Sequence, residues 1–396
     1  MNKIENRIGP CVEKDNFYGR VNECNRAWMK LRDGNSLVLA APRRVGKTSF
    51  SKKMMERAKQ EGWVTLYMDL ESLRTEKDFA ALFVEELQKT SKFETVKEWM
   101  KNLAYTIGQC KPTVSVGTVE VSLEWKCQER EIYTQLKKLI EEFSKTDVLI
   151  VMDELAIFLN YLQKDSENGW DKIHFFLNWL RSFRQTPGSK IRWIFCSSIG
   201  IENFLSMQRL SKTLNDVESF KLEALSPVES DGLLAALANA YGFVLDETLR
   251  QYILNRIGWC LPYYIQAIFS EIHTLYQIEN YPNLDPEVVD RAYYNLLRKS
   301  YFNTWDERLR EEYSPLERPM RAVLDHLAAL PQGANREALR NALYTAYRDE
   351  EQTNEILSKV LPILENDGYL MRKREGKKYV FRSFLLRDFW NQRFNE

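Results

Sequence analysis

The sequence predicts an α/β fold: a parallel five-stranded sheet with a β-hairpin insertion, then a helical lid, then a small C-terminal domain of helices and a hairpin. Three observations carry this. Short apolar runs such as Leu37–Ala40 and Val148–Met152 have the length and composition of strands buried on both faces of a parallel sheet. These runs alternate with helix-length amphipathic stretches, the order that builds strand–helix–strand crossovers. Beyond Pro315 and Pro319 the pattern changes to three helices and two short strands.

At 396 residues, the chain is long enough for two or three domains with sizeable cores. Charged residues make up 28% and hydrophobic ones 44%, as in ordinary globular proteins. Lys+Arg and Asp+Glu are both 56, so net charge points to neither nucleic acid nor membrane. No apolar run approaches a membrane span, and the first residues lack a signal-peptide core. The six cysteines are scattered with no CxxC pair, which argues against zinc or a disulfide framework and for a cytoplasmic setting.

Residues 1–16 read as a loose lead-in. Phe17-Tyr18-Gly19-Arg20 follows, then a helix over Val21–Leu31 with apolar residues at Val21, Cys24, Trp28 and Leu31. Leu37–Ala40 is the first strand. It runs into Ala41-Pro42-Arg43-Arg44-Val45-Gly46-Lys47-Thr48-Ser49 and a second helix, matching the phosphate-binding loop GxxxxGK[ST] with Ala41 at the first glycine position. A tight strand-to-helix turn directs successive backbone N–H groups inward, and the helix start adds unsatisfied N–H groups and its positive dipole end. Gly46 permits close backbone approach, Lys47 reaches the terminal phosphates and the Thr48 hydroxyl holds Mg²⁺. The expected ligand is a nucleoside triphosphate, ATP or its product ADP.

Trp63–Leu70 reads as the second strand, with Asp69 at its end either facing the nucleotide or capping the helix over Glu76–Thr90. Val114, Val116, Val119, Val121 and Leu123 alternate with polar residues around Gly117-Thr118, the signature of a hairpin. An amphipathic helix over Glu129–Lys145 leads into Val148–Met152 and then Asp153-Glu154. An acid pair at the end of a buried strand, about a hundred residues after such a loop, is the second half of an ATPase site. Asp153 is expected to hold Mg²⁺ through water, and Glu154 to orient and deprotonate the attacking water. A helix over Asp171–Arg184 precedes a fourth strand, Arg192–Ser198, which ends in Ser197 and Ser198. Ser219–Leu225 gives a fifth, and Ser226-Pro227 opens a helix as N-cap and first residue.

From there to about residue 310 the chain reads as helical, broken at Gly258-Trp259-Cys260-Leu261-Pro262. Helices are expected over Arg318–Leu330, Arg336–Tyr347 and Glu351–Asn366, and strands over Gly368–Met371 and Lys378–Phe381. The connection Arg372-Lys373-Arg374-Glu375-Gly376-Lys377 is strongly basic. Three helices and a hairpin are the pattern of a winged helix-turn-helix, closed here by a helix over Phe384–Phe394. Expected domains are therefore 1–225 for the core, 226–314 for the lid and 315–396 for the winged helix.

The ordered set FYGR, APRRVGKTS, LIVMDE, FCSS, FKLEALS, GWCLP and C-terminal winged helix resembles the prokaryotic STAND-type P-loop ATPases, AAA+ relatives of the origin-recognition ATPases. The resemblance implies that Tyr18 and Arg20 lie over the adenine and ribose and that Pro262 packs by the adenine. It implies that Ser197 or Ser198, at the end of the fourth strand, serves as a sensor of the γ-phosphate or its water. Arg209 is a candidate transition-state finger. It also implies a nucleotide-controlled switch that hydrolyses ATP slowly and engages a protein partner or its own copies. The alternative is a DNA-binding or scaffold module with a structural nucleotide. The basic wing keeps DNA as a partner, and no membrane role is expected.

Overall fold

The computed structural model describes residues 4–90, 112–114, 121–123, 129–143, 146–164, 168–197, 200–280 and 284–394. The sheet consists of β1 (Leu37–Ala40), β2 (Val64–Asp69), β5 (Val148–Asp153), β6 (Ile191–Phe195) and β7 (Glu218–Lys221), in the order β2-β5-β6-β1-β7. Every pairing is parallel, with Leu37 opposite both Ile194 and Glu218, and Asp69 opposite Asp153. A separate antiparallel pair, β3 (Pro112–Val114) and β4 (Val121–Leu123), is the expected hairpin, while its Gly117-Thr118 turn lies outside the described residues.

Position in the sheet explains the strand sequences. β5 is interior, and all six of its residues are buried, which is why its sequence is an unbroken apolar run closing on Asp153. β2 lies at one edge, and Val64, Leu66 and Met68 are buried while the residues between them are more open. At the other edge, β7 buries only Phe220. The chain leaves this strand after Lys221, short of the expected Leu225, whose N–H instead donates to the Cys260 carbonyl.

The chain divides into two compact units, one of residues 21–40 and 50–221 and one of residues 1–20, 41–49 and 222–396. The first holds the sheet and a core rich in aromatic rings. Phe79 packs edge-on to Phe176 at 5.0 Å and to Trp179 at 5.9 Å, and stacks on Phe158. Phe79 belongs to the helix Glu76–Gln88, which is started by Thr75: its hydroxyl accepts the Asp78 N–H in a reciprocal capping box. Asp69 is therefore no helix cap. Its carboxylate accepts the Glu71 N–H in the turn after β2. The helix Leu155–Lys164 begins immediately after Glu154, and its apolar residues read as a continuation of the β5 run.

The second unit is helical from Pro227 onward. Ser226 caps Pro227–Ala240 as expected, in a capping box with Glu229. Gly258 ends the helix Glu247–Ile257 at φ +75°, and Pro262 opens Pro262–His273, so the glycine–proline break is a stop and a start. Helices Pro286–Leu297 and Asn303–Glu312 lead to Glu317–Ala328, Arg336–Tyr347 and Glu350–Asn366. β8 (Leu370–Arg372) and β9 (Tyr379–Phe381) pair antiparallel, and a bridge from Ala334 to Tyr379 adds a third short connection. The closing helix Phe384–Phe394 buries Trp390, whose indole N–H donates to Asp325. The lead-in is tied down rather than loose, since Asn6 bonds the Tyr241 hydroxyl and the Gln266 carbonyl. No described helix is long and apolar enough to cross a membrane.

Candidate functional site

The loop 41–49 leaves the carboxyl end of β1 and enters the helix Lys47–Gln60. Two of its residues have left-handed backbone angles, Arg44 at φ +66° and Gly46 at φ +93°. Ala41 is not among the positive-φ residues, so the position that usually carries glycine accepts alanine without strain. The angle at Gly46 does require glycine, although a Cβ there would meet nothing within 4 Å. Alternating left- and right-handed angles turn neighbouring N–H groups to one side, as an anion nest requires.

Lys47 is buried, and its ammonium donates to the Ala41 and Pro42 carbonyls at 3.0 Å each. The positive charge is thereby held across the loop at the first turn of the helix. Thr48 follows it there. Ser49 is buried, and its hydroxyl accepts the Val12 N–H at 2.9 Å, which fastens the lead-in to the loop. Val45 is also buried, and its carbonyl accepts from the Arg20 guanidinium at 2.8 Å.

Arg20 and Tyr18 are positioned by the helix Pro227–Ala240. Gly19 and Arg20 both have left-handed angles, and the Arg20 N–H donates to Glu229 at 2.6 Å. The other Glu229 oxygen accepts from Ser226, so one carboxylate closes the helix cap and holds the FYGR segment together. Burial pushes the Glu229 carboxyl up, but the hydrogen bonds from Ser226 and Arg20 outweigh it and hold the group below its ordinary range. Tyr18 lies against Gly232, where a Cβ would come within 2.3 Å of its hydroxyl. Burial, then Glu229 and Asp231, push that phenol upward. Glu229 and Gly232 are absent from the sequence reading. Glu229 carries a local signal as the third helical residue of a capping box, but its grip on Arg20 spans two hundred residues.

At the glycine–proline break, Pro262 starts its helix and the neighbouring Tyr263 reaches the loop. The Arg44 guanidinium lies over the Tyr263 ring, 4.3 Å from its centroid. No sequence pattern singles out this tyrosine.

The remaining candidates belong to the sheet unit. Asp153 is buried; one carboxylate oxygen accepts from the Tyr67 hydroxyl at 2.9 Å and the other from the Glu154 N–H at 3.1 Å. Burial first, and then Asp153, push the Tyr67 phenol far above its ordinary range, so it stays a donor. Glu154 has φ +55°, an angle unfavourable to a side chain with a Cβ and a common form of strain at working sites. The Ser197 hydroxyl, one residue beyond Cys196 at the end of β6, donates to Glu154 at 3.3 Å. The structure thus brings together Asp153, Glu154 and Ser197, while Ser198 lies outside the described residues. Arg209 follows the helix Ile201–Met207 at φ +58°.

Over nearly its full length the chain is similar in fold to the Walker-type ATPase of Pyrococcus abyssi. The TM-score is 0.64 at 15% identity, covering 98% of this chain and 99% of that one. It is also similar to the ORC2 protein of Aeropyrum pernix in its ADPNP–ADP complexes, with a TM-score of 0.54 at 14% identity over 97% and 98% of the two chains. No protein-family model matches the chain, and no curated protein matches it. At these identities the likeness establishes the α/β architecture of P-loop ATPases.

Proposed function

We propose that the chain binds ATP and ADP with Mg²⁺ and hydrolyses ATP slowly as a nucleotide-controlled switch. The observation that carries the reading is the loop itself: left-handed Arg44 and Gly46, then a buried Lys47 ammonium fixed at the start of a helix. That combination concentrates N–H donors and positive charge where phosphate oxygens are bound.

The donor set fits Mg²⁺, which prefers hard oxygen ligands and commonly keeps waters between itself and protein carboxylates. The Thr48 hydroxyl and the buried Asp153 carboxylate would hold it, Asp153 being kept in place by Tyr67. When bound, the ion neutralises charge on the terminal phosphates. Lys47 binds those phosphates, and Ala41, Pro42, Arg43, Arg44, Val45, Gly46 and Ser49 shape the loop around them. Glu154 takes a proton from the attacking water, and Ser197 orients that carboxylate. Tyr18, Arg20 and Pro262 line the base and sugar side, and Arg209 supplies charge to the transition state.

We read residues 1–225 as the ATPase core, 226–314 as its lid and 315–396 as a winged helix, in a STAND-type protein of the cytoplasm whose partner is another protein or its own copies. One observation favours a second reading, in which the winged helix contacts DNA: Arg372, Lys373, Arg374, Lys377 and Lys378 are all exposed.

The decisive test is nucleotide titration of the wild type and Lys47→Ala. Loss of a charge-assisted contact worth about 2–3 kcal/mol weakens ATP affinity by about thirty- to a hundredfold without unfolding the chain. Equal affinities would remove Lys47 from the site.

A further inference from the structure

Tyr67 lies on β2, directly opposite Val151 of β5 and two residues before the Asp69–Asp153 pairing. Side chains two apart along a strand share a face, so Tyr67 and Asp153 project to the same side of the sheet. The phenol is long enough to reach forward past Val151, and its hydroxyl donates to one Asp153 oxygen at 2.9 Å. The other oxygen accepts the Glu154 N–H at 3.1 Å. Over the ring, 5.1 Å from its centroid, lies the ammonium of Lys52, from the helix Lys47–Gln60.

These contacts fix one torsion. A carboxylate bonded at a single oxygen can swing about its Cβ–Cγ bond, whereas one bonded at both keeps its plane. Each oxygen has two lone pairs, so accepting these donors does not bar the carboxylate from a cation. The phenol has one proton, and burial first, then the neighbouring Asp153, keep it in place, so the hydroxyl acts as a donor. The Lys52 charge holds the ring where it lies and strengthens that donor. Mg²⁺ tolerates little departure from octahedral geometry, while Ca²⁺ accepts flexible surroundings. An oriented carboxylate therefore matters more to the first ion than to the second.

We propose that Tyr67 is a positioning residue for the divalent cation: held beneath Lys52, it orients the Asp153 carboxylate and so sets the preference of the site for Mg²⁺ over Ca²⁺. This rests on the reading of Asp153 as a metal-holding residue given above. Groups that orient a metal-ligating side chain are worth about 10- to 100-fold in metal affinity.

The test titrates Mg²⁺ and, separately, Ca²⁺ into the full chain carrying a fluorescent non-hydrolysable ATP analogue. The fluorescence change gives the half-saturating metal concentration. Tyr67→Phe keeps the ring and removes the hydroxyl. It raises the Mg²⁺ value at least about 10-fold and the Ca²⁺ value by a smaller factor, while affinity for the analogue without metal stays as in wild type. An unchanged Mg²⁺ value, or equal shifts for the two ions, overturns the positioning role. Should Tyr67→Phe fail to fold, Lys52→Met at its half-buried position decides. Loss of the cation over the ring raises the Mg²⁺ value by about 2- to 5-fold, and no change overturns the proposal. Asp153→Asn separates the two readings. If it leaves the Mg²⁺ response intact, Asp153 does not hold the ion and both readings fall. If it abolishes the response while Tyr67→Phe keeps the wild-type value, only the positioning role is lost. A wild type that binds no analogue defeats the nucleotide reading itself, and this proposal with it.

Discussion

The Ser197 hydroxyl donates to the Glu154 carboxylate across 3.3 Å, joining the ends of two neighbouring strands. Glu154 already sits at a left-handed backbone angle, so this bond fixes a side chain whose backbone is also constrained.

The two residues should therefore separate in kinetics. Glu154→Gln keeps shape and hydrogen bonding but removes the base, so ATP still binds while turnover falls at least ~100-fold. Ser197→Ala removes one orienting hydrogen bond, worth about 0.5–1.5 kcal/mol, and slows turnover by about 2- to 12-fold. Steady-state phosphate release checks both. Unchanged release in Glu154→Gln excludes it as the base, and an equal loss in the two variants excludes the orienting role of Ser197.

Gly368 offers a stability test. Its φ is +88°, and an added Cβ would press on Pro42 and Trp259. A left-handed alanine costs about 1–2 kcal/mol and overpacking about 1–3 more, so Gly368→Ala should lose roughly 2–5 kcal/mol in urea unfolding. A wild-type midpoint would show that the loop yields freely at Pro42.

Glu229 gives a pH signature. Its folded pKa is held below the ordinary 4.5 by bonds from Ser226 and the Arg20 N–H. Its contribution is therefore complete above the unfolded value and disappears as pH falls through the folded one. Glu229→Gln should be less stable than wild type at neutral pH, with the difference closing below pH 4.5. Thermal unfolding across pH 3–7 checks this, and a constant difference across that range contradicts it.

The basic connection between β8 and β9 can be tested directly. If its five exposed basic residues bind duplex DNA, binding weakens steeply with salt, and the slope flattens when all five are changed to serine. Absence of binding at low salt, with or without ATP, removes DNA as a partner and leaves an intramolecular or protein-partner surface.

Local chemistry made much of this molecule readable. The helices Arg336–Tyr347 and Phe384–Phe394 have the bounds their periodicity predicts, and Ser226-Pro227 caps as its residue types require. The β5 run was legible because an interior parallel strand must be apolar on both faces. Asp69 shows the limit of such reasoning: an aspartate that caps a helix and one that closes a turn use the same oxygen and differ only in which N–H arrives. The contacts around the loop were not legible at all. Tyr263 under Arg44, Gly368 against Pro42 and Glu229 on Arg20 join residues some two hundred or more positions apart, and no period in the sequence records them.

The loop 41–49 clusters with residues 222–396, while the strand before it and most of the helix after it cluster with the sheet. The polypeptide thus passes from one unit to the other at 20/21, 40/41, 49/50 and 221/222. Cutting the gene at residue 221 would not yield a portable cassette, because the excised piece would carry the loop 41–49 without Tyr263 or Gly368, which meet it. Recombination that exchanged the carboxyl-terminal half between relatives would face the same constraint: Pro42 and Arg44 would have to be inherited together with Gly368 and Tyr263, which meet them.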